Sequence, residues 1–120
     1  MIQKRKRVLL VFDKFKDTLS SAKVCEIVSA ALHSEGVEVR AVPISDGGDG
    51  FVDCMHHILG GAVEKGELVV SDPLGREART HYLAGKGTAY VEVANSAGLQ
   101  MLKIEERNPA YASSVVMLDP

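Results

Sequence analysis

The chain has 120 residues, 46% of them hydrophobic and 25% charged. That balance excludes wholesale disorder and permits a buried core, because a chain of this length buries about two thirds of its unfolded surface. A net charge of −2 excludes strong non-specific binding to nucleic acid, and two cysteines, Cys25 and Cys54, are too few for a disulfide framework.

The basic run Lys4 to Arg7 precedes an apolar stretch, Val8 to Phe12, that is too short for the core of a signal peptide. No segment approaches the roughly 18 consecutive apolar residues of a membrane span. The expectation is a cytoplasmic protein with no membrane and no nucleic-acid partner, the basic run forming a solvated arm.

Arg7 to Phe12 is apolar without alternation and reads as a strand of a parallel sheet, covered on both faces. From Ala22 the period becomes helical, with Val24, Cys25, Ile27, Val28, Ala31 and Leu32 on one stripe. Ser20 is the expected N-cap and Gly36 the stop. Val37 to Pro43 gives a second strand, completing a strand–helix–strand unit. After Asp46-Gly47-Gly48-Asp49-Gly50 a second helix follows, with Phe51, Met55, Ile58 and Leu59 as its expected buried face and Gly60-Gly61 as its end. Both cysteines lie within these helical patterns, where buried thiols are expected.

The style then changes. Glu67 to Ser71, Arg76 to Leu83 and Thr88 to Ala94 read as three strands joined by short turns, so they run antiparallel. Asp72-Pro73-Leu74-Gly75 fits a type I turn, and Gly85-Lys86-Gly87 supplies the next. Asn95 to Leu99 reads as a tight polar bend, with a short helix possible after it. The expected fold class is α/β: a partial doubly wound parallel sheet (strand–helix–strand–helix), then an antiparallel meander belonging to a second α/β domain. The expected division is residues 1–62 for a Rossmann-like piece and 63–120 for the start of a mixed-sheet domain. Two parallel strands cannot cover both faces of their own sheet, so a further segment or another chain is expected to complete it.

Ligands of open parallel sheets bind beyond the carboxyl ends of the strands. Asp13 follows the first strand and Asp46 the second. Asp13, Asp46 and Asp49 are therefore expected to converge, with Lys14 and Lys16 on the adjoining loop. Gly47, Gly48 and Gly50 are expected to let backbone approach a ligand and to leave helix-start amides pointing outward. Amides attract phosphate whereas Asp46 and Asp49 repel it. A Mg²⁺ ion between carboxylate and phosphate, or a ligand offering hydroxyls, resolves the conflict. A tight turn with acidic capping residues is the equally weighted structural alternative. His56 and His57 are adjacent on a helix, about 100° apart, and make no metal site by themselves. Ser96 lacks the flanks of a nucleophile elbow.

Taken together, five segments in order resemble the bacterial-type glycerate kinase family. They are Phe12 to Ser20, Ser45 to Gly50, Asp72 to Gly75, Val91 to Leu99 and Glu106 to Pro109. The resemblance implies two α/β domains with a cleft between them, and transfer of the γ-phosphoryl group of ATP, with Mg²⁺, to a hydroxyl of D-glycerate. Asp13, Phe15 and Lys16 match the first motif. Asp46, Gly47, Gly48 and Gly50 match the second, in which Asp49 replaces a family Glu. Arg107 and Asn108 match the last. On this basis Asp46, Asp13 and Lys16 are the expected catalytic residues, and Gly47, Gly48, Asp49, Gly50, Arg107 and Asn108 the expected substrate-binding ones, with no metal ligand assigned. Lys14 stands where the family has Ser, and Asp17 where it has Gly. Family members are several-fold longer, so the chain is expected to be an N-terminal portion. A non-catalytic remnant, or a small α/β module that binds an anionic metabolite, is the alternative.

Overall fold

The computed structural model describes residues 6–114. The fold is mixed α/β, and the chain divides into two compact units, Met1–Asp46 and Gly47–Pro120.

In the first unit β1 (Arg7–Phe12), α1 (Ser21–Ser34) and β2 (Glu38–Pro43) follow one another. The two strands pair in parallel, with Arg7 opposite Glu38 and Phe12 opposite Pro43. That register puts Val8, Leu10 and Phe12 on one face with Val39, Ala41 and Pro43. The helix packs along both strands, and Leu10, Val24, Cys25 and Pro43 are buried. Leu9 and Val11, on the opposite face, are 61% and 48% exposed. The apolar composition of β1 thus exceeds what a single helix can cover. Ser20 caps α1 as expected, its hydroxyl accepting from the Lys23 backbone N–H at 3.2 Å. Gly36 ends the turn after it with φ +71°. Ile27 and Ala31 are exposed rather than part of the buried stripe, because the sheet beneath α1 is only two strands wide.

The second unit holds α2 (Phe51–Leu59), β3 (Glu64–Ser71), β4 (Glu77–Gly85), β5 (Thr88–Val91) and α3 (Ala94–Ala97). Short 3-10 turns follow at Leu99–Met101 and Ile104–Glu106. The three strands form an antiparallel sheet in the order β3-β4-β5. Lys86 (φ +50°) and Gly87 (φ +75°) make the two-residue turn between β4 and β5. Two consecutive positive φ values match the twist of a hairpin. Gly66 lies opposite Tyr82, and a Cβ there would run into the Tyr82 ring.

Val52, Val63 and Leu83 form the core of this unit, with Phe51, Met55, Leu59 and Tyr90 packed around them. Ile58, expected in the buried face of α2, is exposed, and Val52 and Cys54 take the buried positions. Val52 joins Leu83 in the core. α2 packs against β4 and β5, and Gly60 and Gly61 join α2 to β3 inside this unit. β5 stops at Val91, short of the expected Ala94, which begins α3. No helix among the described residues is long and apolar enough to cross a membrane.

Candidate functional site

The parallel pairing puts the carboxyl ends of β1 and β2 on one edge. The ladder runs on past the strands, with the Ile44 N–H donating to the Phe12 carbonyl at 2.9 Å. Asp13 and Asp46 therefore leave the same edge of the sheet. Lys14 links this edge: its backbone N–H donates to Asp13 Oδ1 at 2.7 Å, and its Nζ lies 3.5 Å from Asp46 Oδ1. The Lys14 side chain is 18% exposed and that of Asp46 is 68% exposed. A pair so open to water contributes little to stability, about 1 kcal/mol at most. Its consequence is a cation held beside the carboxylate.

Lys16 sits in a closed turn on the same edge. Phe15 and Leu19 exchange backbone hydrogen bonds at 2.9 and 3.0 Å, and Thr18 Oγ1 donates to the Phe15 carbonyl at 2.8 Å. Asp17 at its tip has φ +60°. Glycine enters that region freely, and Asp is one of the few other residues to tolerate it. The turn thus explains why glycine suits this position without any requirement for ligand approach.

The glycine-rich loop follows, with Gly47 at φ +92° and Gly50 at φ +87°. A Cβ added at either would meet nothing within 4 Å, so backbone conformation selects glycine here. The amides expected to point outward are engaged. Gly50 N–H donates to Glu92 Oε1 and Val52 N–H to Glu92 Oε2, both at 3.0 Å. Glu92, just past β5, is 2% exposed. Its carboxylate satisfies two donors that a helix start leaves without intrahelical partners. Asp49 Oδ1 is 3.4 Å from Gln100 Nε2, which also donates to the Ala94 carbonyl at 2.9 Å.

Arg107 and Asn108 lie in the last part of the same unit. Arg107 Nε donates to the Leu102 carbonyl at 3.3 Å, and Asn108 Oδ1 accepts from the Ala110 N–H at 3.0 Å. Their place is set by Arg76, whose Nε meets Asp72 Oδ2 at 2.6 Å and whose Nη1 meets Glu106 Oε1 at 2.7 Å. Asp72 is buried at the turn before β4, where its Oδ1 accepts from the Leu74 and Arg76 N–H groups, both at 2.9 Å. Burial pushes its pKa up, but the hydrogen bonds from the Arg76 backbone, the guanidinium and Leu74 outweigh that and hold it below the usual carboxylate range. Glu106 is also lowered, first by the Arg76 guanidinium and then by the Lys103 N–H. Arg76 in turn is raised by Glu106 and Asp72.

The sequence profile of the glycerate kinase family matches residues 8–117. This chain belongs to the glycerate kinase family. Glycerate kinase of Bacillus subtilis (strain 168) is 32% identical over 112 residues, which are 90% of this chain and 29% of that protein. Glycerate 2-kinase of Escherichia coli (strain K12) is 28% identical over 112 residues, again 90% of this chain and 29% of the relative. The chain thus spans under a third of the length of these relatives. The crystal structure of a Salmonella typhimurium LT2 protein designated glycerate kinase 2 superimposes with a TM-score of 0.68 at 22% identity, covering 94% of this chain and 31% of that one. That likeness shows a shared fold.

Glu92, inside the Val91 to Leu99 segment, and Arg76, directly after the Asp72 to Gly75 segment, are the side chains that sequence reasoning missed. Glu92 stands in an alternating Val-Glu-Val stretch, where an outward strand position is the natural assignment. Its hydrogen-bond partners lie 40 and 42 residues upstream. Arg76 joins two motifs, Asp72 to Gly75 and Glu106 to Pro109, that the sequence presents separately.

Proposed function

We propose that this chain contributes part of an ATP-dependent, cytoplasmic kinase that phosphorylates a hydroxyl of D-glycerate. Membership of the glycerate kinase family supports the reaction class. The observation that carries the site is the common edge of β1 and β2, from which Asp13, Lys14 and Asp46 all emerge. Asp46 or Asp13 would accept a hydrogen bond from the substrate hydroxyl and take its proton as it attacks. Lys16 or Arg107 would neutralise the substrate carboxylate or the transferring phosphoryl group. Gly47, Gly48, Asp49, Gly50 and Asn108 are proposed to shape the substrate side. Phosphoryl transfer depends mainly on positioning and charge neutralisation, which these residue types supply.

Mg²⁺ fits the donor chemistry: Asp13 and Asp46 offer carboxylate oxygens, and this ion is commonly held by one or two carboxylates together with substrate phosphates and water. Among the described residues no group of three His, Cys, Asp or Glu side chains is placed to hold a metal. When bound, the ion would neutralise charge on the nucleotide phosphates. We further propose that the rest of the family fold, or a second chain, covers Leu9 and Val11; their exposure and the short span of the match support this.

A non-catalytic role draws on one feature, Lys14, which replaces the family Ser and lies 3.5 Å from Asp46. An ammonium there engages a carboxylate oxygen that a substrate hydroxyl would otherwise use. One assay separates the two. ADP formation dependent on D-glycerate is measured for this chain, and for this chain completed by the part of the Bacillus subtilis relative outside the matched segment. Turnover in the completed form supports the kinase assignment. Folded protein with D-glycerate-independent ADP formation only, in both forms, favours the non-catalytic role.

A further inference from the structure

The segment from Glu92 to Gln100 carries a sequence motif with no assigned task, yet it grips the glycine-rich loop at two points. Glu92 holds the Gly50 and Val52 amides at 3.0 Å each, and Gln100 ties Asp49 Oδ1 to the Ala94 carbonyl. Both amides belong to the start of α2, where a helix concentrates partial positive charge. In glycine-rich loops that bind phosphate, such amides are left for the ligand. Here a carboxylate from the same chain, 2% exposed, takes that place.

We propose that Glu92 is a built-in anion that occupies the α2 N-terminus and excludes phosphate from the Gly50 and Val52 amides. The loop then presents the Asp49 carboxylate, an acceptor suited to a ligand's hydroxyl. This deepens the kinase assignment, because it gives the glycine-rich loop to the hydroxylated substrate and leaves the nucleotide phosphates to other groups. Two features separate it from ordinary helix capping. The cap is a buried Glu brought from 40 residues away rather than a local Ser or Asp. It also engages two amides at once, which is how a bound anion is held.

The test does not depend on turnover. Native protein is titrated with inorganic phosphate while the Gly50 and Val52 amides are followed by NMR and hydrogen exchange. The expected result is no phosphate-dependent shift and exchange as slow as that of the Leu83 amide. Glu92→Ala is then melted in sodium formate and in sodium chloride at equal ionic strength. Formate restores part of the lost melting temperature of the variant and does nothing selective for the native chain. Glu92→Gln, which keeps a single acceptor oxygen, loses protection at one of the two amides by about tenfold or more, the loss of one charge-assisted hydrogen bond. Phosphate-dependent shifts at Gly50 and Val52 in the native protein overturn the proposal. So does a folded Glu92→Ala indifferent to formate, or equal protection of both amides in Glu92→Gln. Should the alanine variant not fold, the native titration and the glutamine variant still decide. A protein that passes these tests yet never phosphorylates D-glycerate retains the built-in anion and loses only the kinase assignment.

Discussion

Asp46 and Glu92 are both carboxylates close behind strand ends, yet the Asp46 side chain is 68% exposed and Glu92 is 2% exposed. Asp46 stands at the open edge of a two-stranded parallel sheet, beside an ammonium at 3.5 Å. Glu92 is spent on two backbone amides inside its own unit. Acidic residues around a glycine-rich loop thus divide by the donors that the local fold leaves for them. Where helix-start amides are within reach, the carboxylate becomes structure. Where the strands simply end, it remains at the surface.

Removing the buried member of the comparison should have the larger effect on folding. Glu92→Ala leaves two amides without partners and is expected to cost about 2–4 kcal/mol in chemical denaturation. A loss below about 0.5 kcal/mol would mean that water replaces the carboxylate without penalty.

Asp72 extends the contrast to pH. Asp72→Ala removes three hydrogen bonds at a buried turn and should cost about 1–3 kcal/mol. The folded-state pKa values of Asp72 and Glu106 lie below their usual range. Their contributions are therefore complete above the unfolded values, about pH 4, and are lost as pH falls through the lowered folded values. Melting temperature should drop on that acid limb, and the drop should flatten in Asp72→Asn. An equally steep limb in the variant would assign the acid sensitivity to other groups.

The Asp17 turn offers a smaller test in the first unit. Asp17→Val forces a β-branched residue to φ +60°, which should cost about 1–2 kcal/mol, whereas Asp17→Gly should be neutral or stabilising. Stability that rises with valine would show that the turn takes another conformation. Smallest of all, Lys14→Ala should change stability by less than about 1 kcal/mol, because its partner is exposed. A larger loss would place the Lys14–Asp46 pair among the structural carboxylates with Glu92.

The legible part of the molecule was that written in local periods. β1, α1 and β2 followed from an apolar run, a helical stripe and the Ser20 and Gly36 boundary signals, and their parallel order placed Asp13 and Asp46 on one edge. The turns at Asp72–Gly75 and Lys86–Gly87 were equally local. What escaped depended on contacts distant in sequence. Phe51, Met55 and Leu59 of α2 pack against the core as expected, but Ile58 is exposed and Val52, off that stripe, joins Leu83 from far along the chain. Glu92 read as a strand residue because its donors are in another element. The left-handed backbone at Asp17 had no periodic signature, and the sequence marked it only as a departure from the family glycine.

The most direct test of the account is the rate of D-glycerate-dependent ADP formation by the completed protein and by its Asp46→Asn variant, with melting curves recorded for both. The account predicts a fall in kcat/KM of about 10²–10⁴-fold, the range for loss of a general base, with melting unchanged. Equal rates at equal stability would contradict a catalytic role for Asp46.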